Sequence, residues 1–228
     1  MMSRLKDNYI NKDRVYDKKT WVAIILLIFV SMSIFGFVVE VIFYHVNALV
    51  IYGKSEWYWR GTAFGPWINI YGLGAVCVFF LTYRLRSKPW LVALISGTVL
   101  SVVELLTGMV IYYGLNGKRA WNYNEEAFTF GNIGGFLCGR NIVAFILAGP
   151  YLIYLVVPLI LWIEKKINKK VFLSIAYVLG GIVIADMFYN DILHYVIPGL
   201  KDSSDYYKQF GIKYMKFTNH DKAFWKLK

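Results

Sequence analysis

Apolar and polar residues along this chain segregate into blocks. Five stretches are apolar for about 20 residues, the length that carries a helix across the hydrocarbon core of a bilayer. They run from about Thr20 to Tyr44, Gly65 to Tyr83, Pro89 to Tyr113, Asn141 to Ile163 and Val171 to Val196. The pattern predicts an all-α fold, a polytopic membrane helix bundle with about five transmembrane helices. Pro66 and Pro89 fall where the first turn of a helix tolerates proline. Pro150 and Pro158 lie inside the fourth span and predict a kink there. The first apolar block exceeds the roughly 7–15 residues of a signal-peptide core and lacks a small-x-small cleavage site, so it reads as a mature span.

The charges between the blocks set an orientation. Arg4, Lys6, Lys12, Arg14, Lys18 and Lys19 precede the first span; Arg84, Arg86 and Lys88 follow the second; Lys165, Lys166, Lys169 and Lys170 follow the fourth. The opposite loops hold only Lys54, Arg60, Lys118, Arg119 and Arg140. By the positive-inside rule the amino terminus faces the cytoplasm of a bacterial cell, in the inner membrane. The chain divides into a basic cytoplasmic segment (1–19), a transmembrane domain (20–197) and a polar, basic tail (198–228). An odd number of spans puts that tail outside, as a cap or as an amphipathic segment on the membrane surface. Its seven lysines dilute the bias.

Composition sharpens this picture. The 228 residues are 58% hydrophobic, 18% aromatic and 17% charged, with a mean hydropathy of +0.48. Soluble domains are less apolar and more charged, which argues against a soluble enzyme and against disorder. A net charge of +11 would suggest nucleic acid on a soluble protein. Here it is a topology signal, and no nucleic-acid partner is expected.

A carboxylate in mid-membrane costs about 2.5–3.5 kcal/mol on insertion scales and needs a partner or a polar cavity. Glu40, Glu104 and Asp186 each fall in the outer half of a span. Small or polar neighbours share their helix faces: Ser33 and Gly36 with Glu40; Gly97, Ser101 and Gly108 with Glu104; Asn190 and His194 with Asp186. Gly65, Asn69 and Gly72 form the matching stripe on the second span. These faces should turn toward one another. Arg60 and Arg140 border the same region, which predicts Arg60–Glu40 and Arg140–Glu104 pairs, or the same partners exchanged.

Recognisable catalytic chemistry is missing from the sequence. It holds no GxxxxGK[ST] phosphate loop, HExxH or GxSxG motif, and GNIGGFLCGR (131–140) lacks the spacing of a dinucleotide fingerprint. The three histidines are scattered, so no metal and no cofactor is expected, and the chain reads as a non-enzyme. Cys77 is expected to be buried mid-span and Cys138 near the outer boundary, unbridged. Glu125 and Glu126 read as a solvated acidic turn.

The ordered set Glu40, RGTAFGPWINIYGLGA (60–75), ELLTG (104–108), WNYN (121–124) and GNIGGFLCGR (131–140) resembles a bacterial membrane family, the ABC transporter permeases of type IV or CmpB-type. Arg60, Gly61, Gly65, Pro66, Tyr71, Gly72, Glu104, Trp121, Tyr123, Gly139 and Arg140 match its pattern. Trp59, Asn69, Leu105, Asn122 and Asn124 depart from it, at positions where the family has Asn, Pro, Tyr, Asp and Ser. The resemblance covers roughly residues 30 to 165. It implies a transporter subunit served by a separate ATPase subunit, either a homo-oligomer or one part of a complex. The expected substrate site in the outer half comprises Glu40, Arg60, Asn69, Tyr71, Glu104, Trp121, Asn122, Arg140 and Asp186. Trp121 and Tyr123 would act as aromatic walls or interface anchors. The competing reading is a non-transporting scaffold or envelope-maintenance protein whose Glu/Arg pairs are structural.

Overall fold

The computed structural model describes Tyr9, residues 16–114, Gly117 and residues 119–215; most of the basic amino-terminal segment and the last lysines of the tail lie outside these. Four helices are long and apolar enough to cross a membrane: α1 (Lys18–Tyr52), α3 (Pro89–Gly114), α4 (Gly139–Lys166) and α5 (Lys169–Val196). A shorter apolar helix, α2 (Asn69–Leu85), stands between α1 and α3. A seven-residue helix, α6 (Ser203–Gln209), follows. The two-residue strands β1 (Trp59–Arg60) and β2 (Tyr214–Met215) pair in parallel.

α1 is capped by the Asp17 carboxylate, which accepts from the Thr20 amide at 3.1 Å. It runs past the expected end at Tyr44 to Gly53, where a left-handed φ of 69° stops it. Nothing in His45–Asn47 breaks a helix, so propagation continues until glycine supplies the turn. The 35 residues span about 52 Å, well beyond a 30 Å hydrocarbon core. The surplus carries Tyr44 and Asn47 up among the loops at the end of the bundle expected to lie outside, the outer end.

α2 starts four residues later than expected, and Pro66 lies outside its first turn. The cause is Asp186 on α5. Its carboxylate accepts the amides of Phe64 and Gly65 at 3.0–3.1 Å and the Trp67 indole at 2.8 Å. The Ile68 amide donates to the Ser33 carbonyl at 2.9 Å. Non-helical backbone survives at membrane depth only where protein groups satisfy it, and these acceptors do so. Residues 62–68 form a non-helical approach that makes up for the short helix.

In α4 a π turn occupies Leu152–Val156, between Pro150 and Pro158. Proline removes an amide donor and displaces the ladder, and the widened turn absorbs the mismatch. The freed Ile153 carbonyl accepts from the Tyr9 hydroxyl at 2.7 Å. A second π turn lies at Tyr189–Leu193 in α5.

The helices pack in the lateral order α4, α3, α2, α1, α5. Glycine sets the closest approaches: a Cβ on Gly72 would lie 2.2 Å from Ser33 Oγ, and one on Gly149 2.3 Å from Ser96 Oγ. Small residues permit this backbone proximity where lipid provides no hydrophobic drive. The dry core, which includes Ile24, Ile28, Val78, Val92, Ile153 and Phe172, fills the inner half of the bundle. There the lower part of α4 meets α1, whereas its upper part packs mainly against α3. Large apolar side chains on the outside of the helices, such as Val102, Val110, Leu155 and Val178, are exposed as a lipid-facing belt requires. Cys77 belongs to that exposed face, not to the interior as expected, because its stretch of α2 turns Val78 and Phe79 inward.

The chain after α5 folds back onto the first outer loop. The Ser203 hydroxyl donates to the Thr62 carbonyl at 2.9 Å, and the Ser203 amide donates to Asn190 Oδ1 at 2.8 Å. The Tyr207 hydroxyl bonds the Phe64 carbonyl. Residues 201–215 therefore cover the outer end of the bundle next to α5.

Candidate functional site

Where upper α4 separates from α1, the outer half of the bundle opens into a cavity of about 550 Å³. Its walls are mostly apolar, and its outer end is a continuous polar network. Glu40 anchors one side. Arg60 donates to Glu40 Oε2 from Nε at 3.2 Å and from Nη2 at 3.0 Å, and the Tyr71 hydroxyl donates to Oε1 at 3.0 Å. The Arg60 guanidinium sits 3.8 Å from the centre of the Tyr44 ring.

The Tyr44 hydroxyl, one helical turn beyond Glu40, donates to Glu126 Oε1 at 3.0 Å. Glu126 Oε2 receives Arg140 Nη2 at 2.8 Å. Arg140 also donates to the Ala127 carbonyl at 2.8 Å and to Asn141 Oδ1 at 3.1 Å. The Asn141 amide donates to Glu104 Oε1 at 3.0 Å, and the Tyr123 hydroxyl donates to the same carboxylate. The expected Arg140–Glu104 pair is thus replaced by Arg140–Glu126. The second outer loop folds inward and delivers its own carboxylate to the arginine first.

That inward fold also corrects the reading of Glu126 as solvated: its side chain is 1% exposed. Burial pushes its carboxyl above the ordinary range, while Arg140 and the Tyr44 hydroxyl pull it back. Burial, reinforced by the Glu104 charge, holds the Tyr123 phenol well above its usual value, so it stays a donor. The loop is held from within and from α1. The Trp121 indole donates to the Phe136 carbonyl at 2.9 Å and the Tyr123 amide to the Gly135 carbonyl at 3.1 Å. The Ala127 amide donates to Asn47 Oδ1 at 2.8 Å. Gly135 has a φ of 80°, and a Cβ there would lie 2.6–2.8 Å from Arg119, Asn122 and Asn124.

Of the expected site residues, Glu40, Tyr71, Glu104, Trp121 and Arg140 line the cavity. Arg60 stands behind Glu40, 4% exposed. Asn122 turns into the loop, where its amide donates to Glu125 Oε1 at 2.9 Å. Asn69 and Asp186 belong elsewhere. Asp186 binds the amides of residues 64 and 65, as described above. Asn69 donates to Asp191 Oδ2 at 3.1 Å, beside the Thr62 hydroxyl that donates to Oδ1 at 2.6 Å. The polar residues thus form two clusters, one lining the cavity and one pinning the first outer loop to α5. Tyr44, Glu126 and Asn141 join the cavity cluster without having been expected in the site. The spacing of Tyr44 from Glu40 and the adjacency of Asn141 to Arg140 were the available signals. Among the described residues no group of His, Cys, Asp and Glu is arranged to hold a metal ion.

A sequence model of the family described as Putative ABC-transporter type IV matches residues 27–190, a stretch that contains every residue lining the cavity. No curated protein and no solved structure matches the chain. A match over that share of its length, on the segments that build the helices and the second outer loop, places this chain in the Putative ABC-transporter type IV family.

Proposed function

We propose that this chain is the membrane subunit of a bacterial transporter driven by a separate ATPase, with a substrate site in the outer half of the bundle. The observation that carries the reading is the cavity of about 550 Å³, within the range of ligand pockets, with the Glu104 carboxylate in its lining. A purely structural polar cluster would be expected to close on itself, as the one around Asp186 does. In this reading the amino terminus is cytoplasmic in the inner membrane, and the loop at Trp121–Asn124 caps the site. The protein works as a homo-oligomer or within a complex and performs no chemistry on its substrate. Co-purification of the tagged protein from its own cells, followed by an ATP hydrolysis assay, tests the proposal. An accompanying ATPase whose turnover falls on Glu104→Gln at unchanged folded yield supports it, whereas the absence of any ATPase removes the transporter reading. The scaffold reading draws on the Arg60–Glu40 pair, in which Arg60 is buried and Glu40 accepts from both Arg60 and Tyr71. Loss of folded protein, not of turnover, on Glu104→Gln would favour it.

A further inference from the structure

Building on the substrate-site reading, we infer that the cavity takes an amphipath with a cationic amine or ammonium head and an apolar tail. The argument starts from charge. Three carboxylates and two guanidiniums meet at the outer end of the cavity. Arg60 is engaged by Glu40 and Arg140 by Glu126. Glu104 receives only the neutral donors Tyr123 and Asn141, and among the described residues it has no ion-pair partner. A cation entering the cavity finds in Glu104 a carboxyl group with no ion-pair partner, and its charge favours the ionised form in a low-dielectric wall, where charge pairing is strong. An anion finds both guanidiniums already engaged by carboxylates.

Aromatic rings add to this preference. Tyr71, Trp121 and Tyr123 also line the cavity near Glu104, and ring faces attract ammonium groups within about 6 Å.

The tail follows from the shape. Below the polar end the lining is apolar, with Val39 and Phe35 of α1 facing Leu147 and Tyr151 of α4. Upper α4 packs mainly against α3 at this level, and Val39 and Leu147 are 39% and 63% exposed. The seam therefore opens sideways onto the bilayer. Its foot is closed by the stacked rings of Phe35 and Tyr151, with centroids 4.7 Å apart. A chain lying in this seam stays in apolar surroundings while its head reaches Glu104.

The test uses full-length protein in maltoside micelles and radiolabelled octyltrimethylammonium, with octyl sulfate and octanol as competitors. Saturable binding of the ammonium is expected, displaced weakly by octanol and not by octyl sulfate. Glu104→Gln, which keeps the hydrogen-bonding shape, should weaken it at least tenfold without changing octanol binding or thermal stability. Ala148→Trp, which fills the seam, should abolish it. Octadecylamine carried in the micelle separates the sources: displacement identifies a bilayer-resident amine, and lack of displacement a water-borne one, both within the inferred class. Equal binding of octyl sulfate, or an unchanged affinity in Glu104→Gln, overturns the inference. Octyl sulfate binding that Ala148→Trp abolishes would do so while leaving the cavity a ligand site. If no probe binds at all, the substrate-site reading falls as well.

Discussion

The Arg140–Glu126 pair can be weighed by removing each side in turn. Arg140→Met keeps much of the side chain's volume but strips three donated hydrogen bonds, to Glu126, Ala127 and Asn141. The carboxylate left behind is 1% exposed and keeps only the Tyr44 hydroxyl among its side-chain partners. Breaking one side of a buried pair costs about 3–5 kcal/mol. The arginine side chain is 21% exposed, which favours the low end, about 3 kcal/mol, or roughly a 150-fold drop in the folded-to-unfolded ratio. Glu126→Gln should cost less, about 1–2 kcal/mol, since the amide still accepts from Tyr44. With both changes present the orphaned charge disappears, so the double variant should be more stable than the sum of the singles by about 1.5–3 kcal/mol. Unfolding titrations in mixed micelles read these differences. A parallel cycle pairing Arg140→Met with Glu104→Gln should couple by under about 1 kcal/mol, because the link is indirect, through the Asn141 amide and the Tyr123 ring that Arg140 faces. Additive Arg140/Glu126 effects, or stronger coupling of Arg140 to Glu104, would refute the assignment.

Other consequences are equally open to measurement. Burial raises the folded Glu126 carboxyl above the ordinary glutamate value of about 4.5, so the fold favours its protonated form and that stability is lost as pH rises through the folded value. Wild type should therefore lose stability relative to Glu126→Gln from about pH 4.5 upward, as parallel unfolding titrations across pH will show. Asp186→Asn turns an amide donor toward the Phe64 and Gly65 amides and should destabilise by about 3 kcal/mol or more; limited proteolysis should then cut within residues 57–68 well before wild type is cleaved. Gly135→Ala forces a Cβ into three neighbours at a positive φ, and a loss of about 2 kcal/mol should appear as a lower midpoint of thermal unfolding. For orientation, a cysteine at Lys54 should react with an impermeant maleimide in intact cells, and one at Lys166 only after permeabilisation; the reverse pattern would invert the topology.

The spans were legible because the bilayer enforces composition over some 20 residues at a time, a signal that survives any detail of packing. The Arg60–Glu40 pair could also be read, since one loop of fixed length returns Arg60 to the outer end of α1. The start of α2 could not: its backbone is set by Asp186, more than 120 residues away in the chain, and no local pattern announces that acceptor. Arg140 exposes the same limit. Two carboxylates lay within reach of it, and only the inward course of the second outer loop, tied by Asn47 to the long end of α1, decides between them. That loop has no periodicity from which burial could be inferred, so Glu126 read as surface.

The widened turn of α4 lies at the level where Tyr151 stacks on Phe35, between two prolines that each omit a rung of the backbone ladder. Below this joint the helix is locked into the dry core; above it, α4 rests mainly on α3 and on the Arg140 network. Bending at that joint would change the width of the lateral slot while the contacts beneath stayed in register. The widened turn and the floor of the chamber therefore coincide: the stretch of α4 that lacks two rungs of its ladder is also the one that closes the cavity from below.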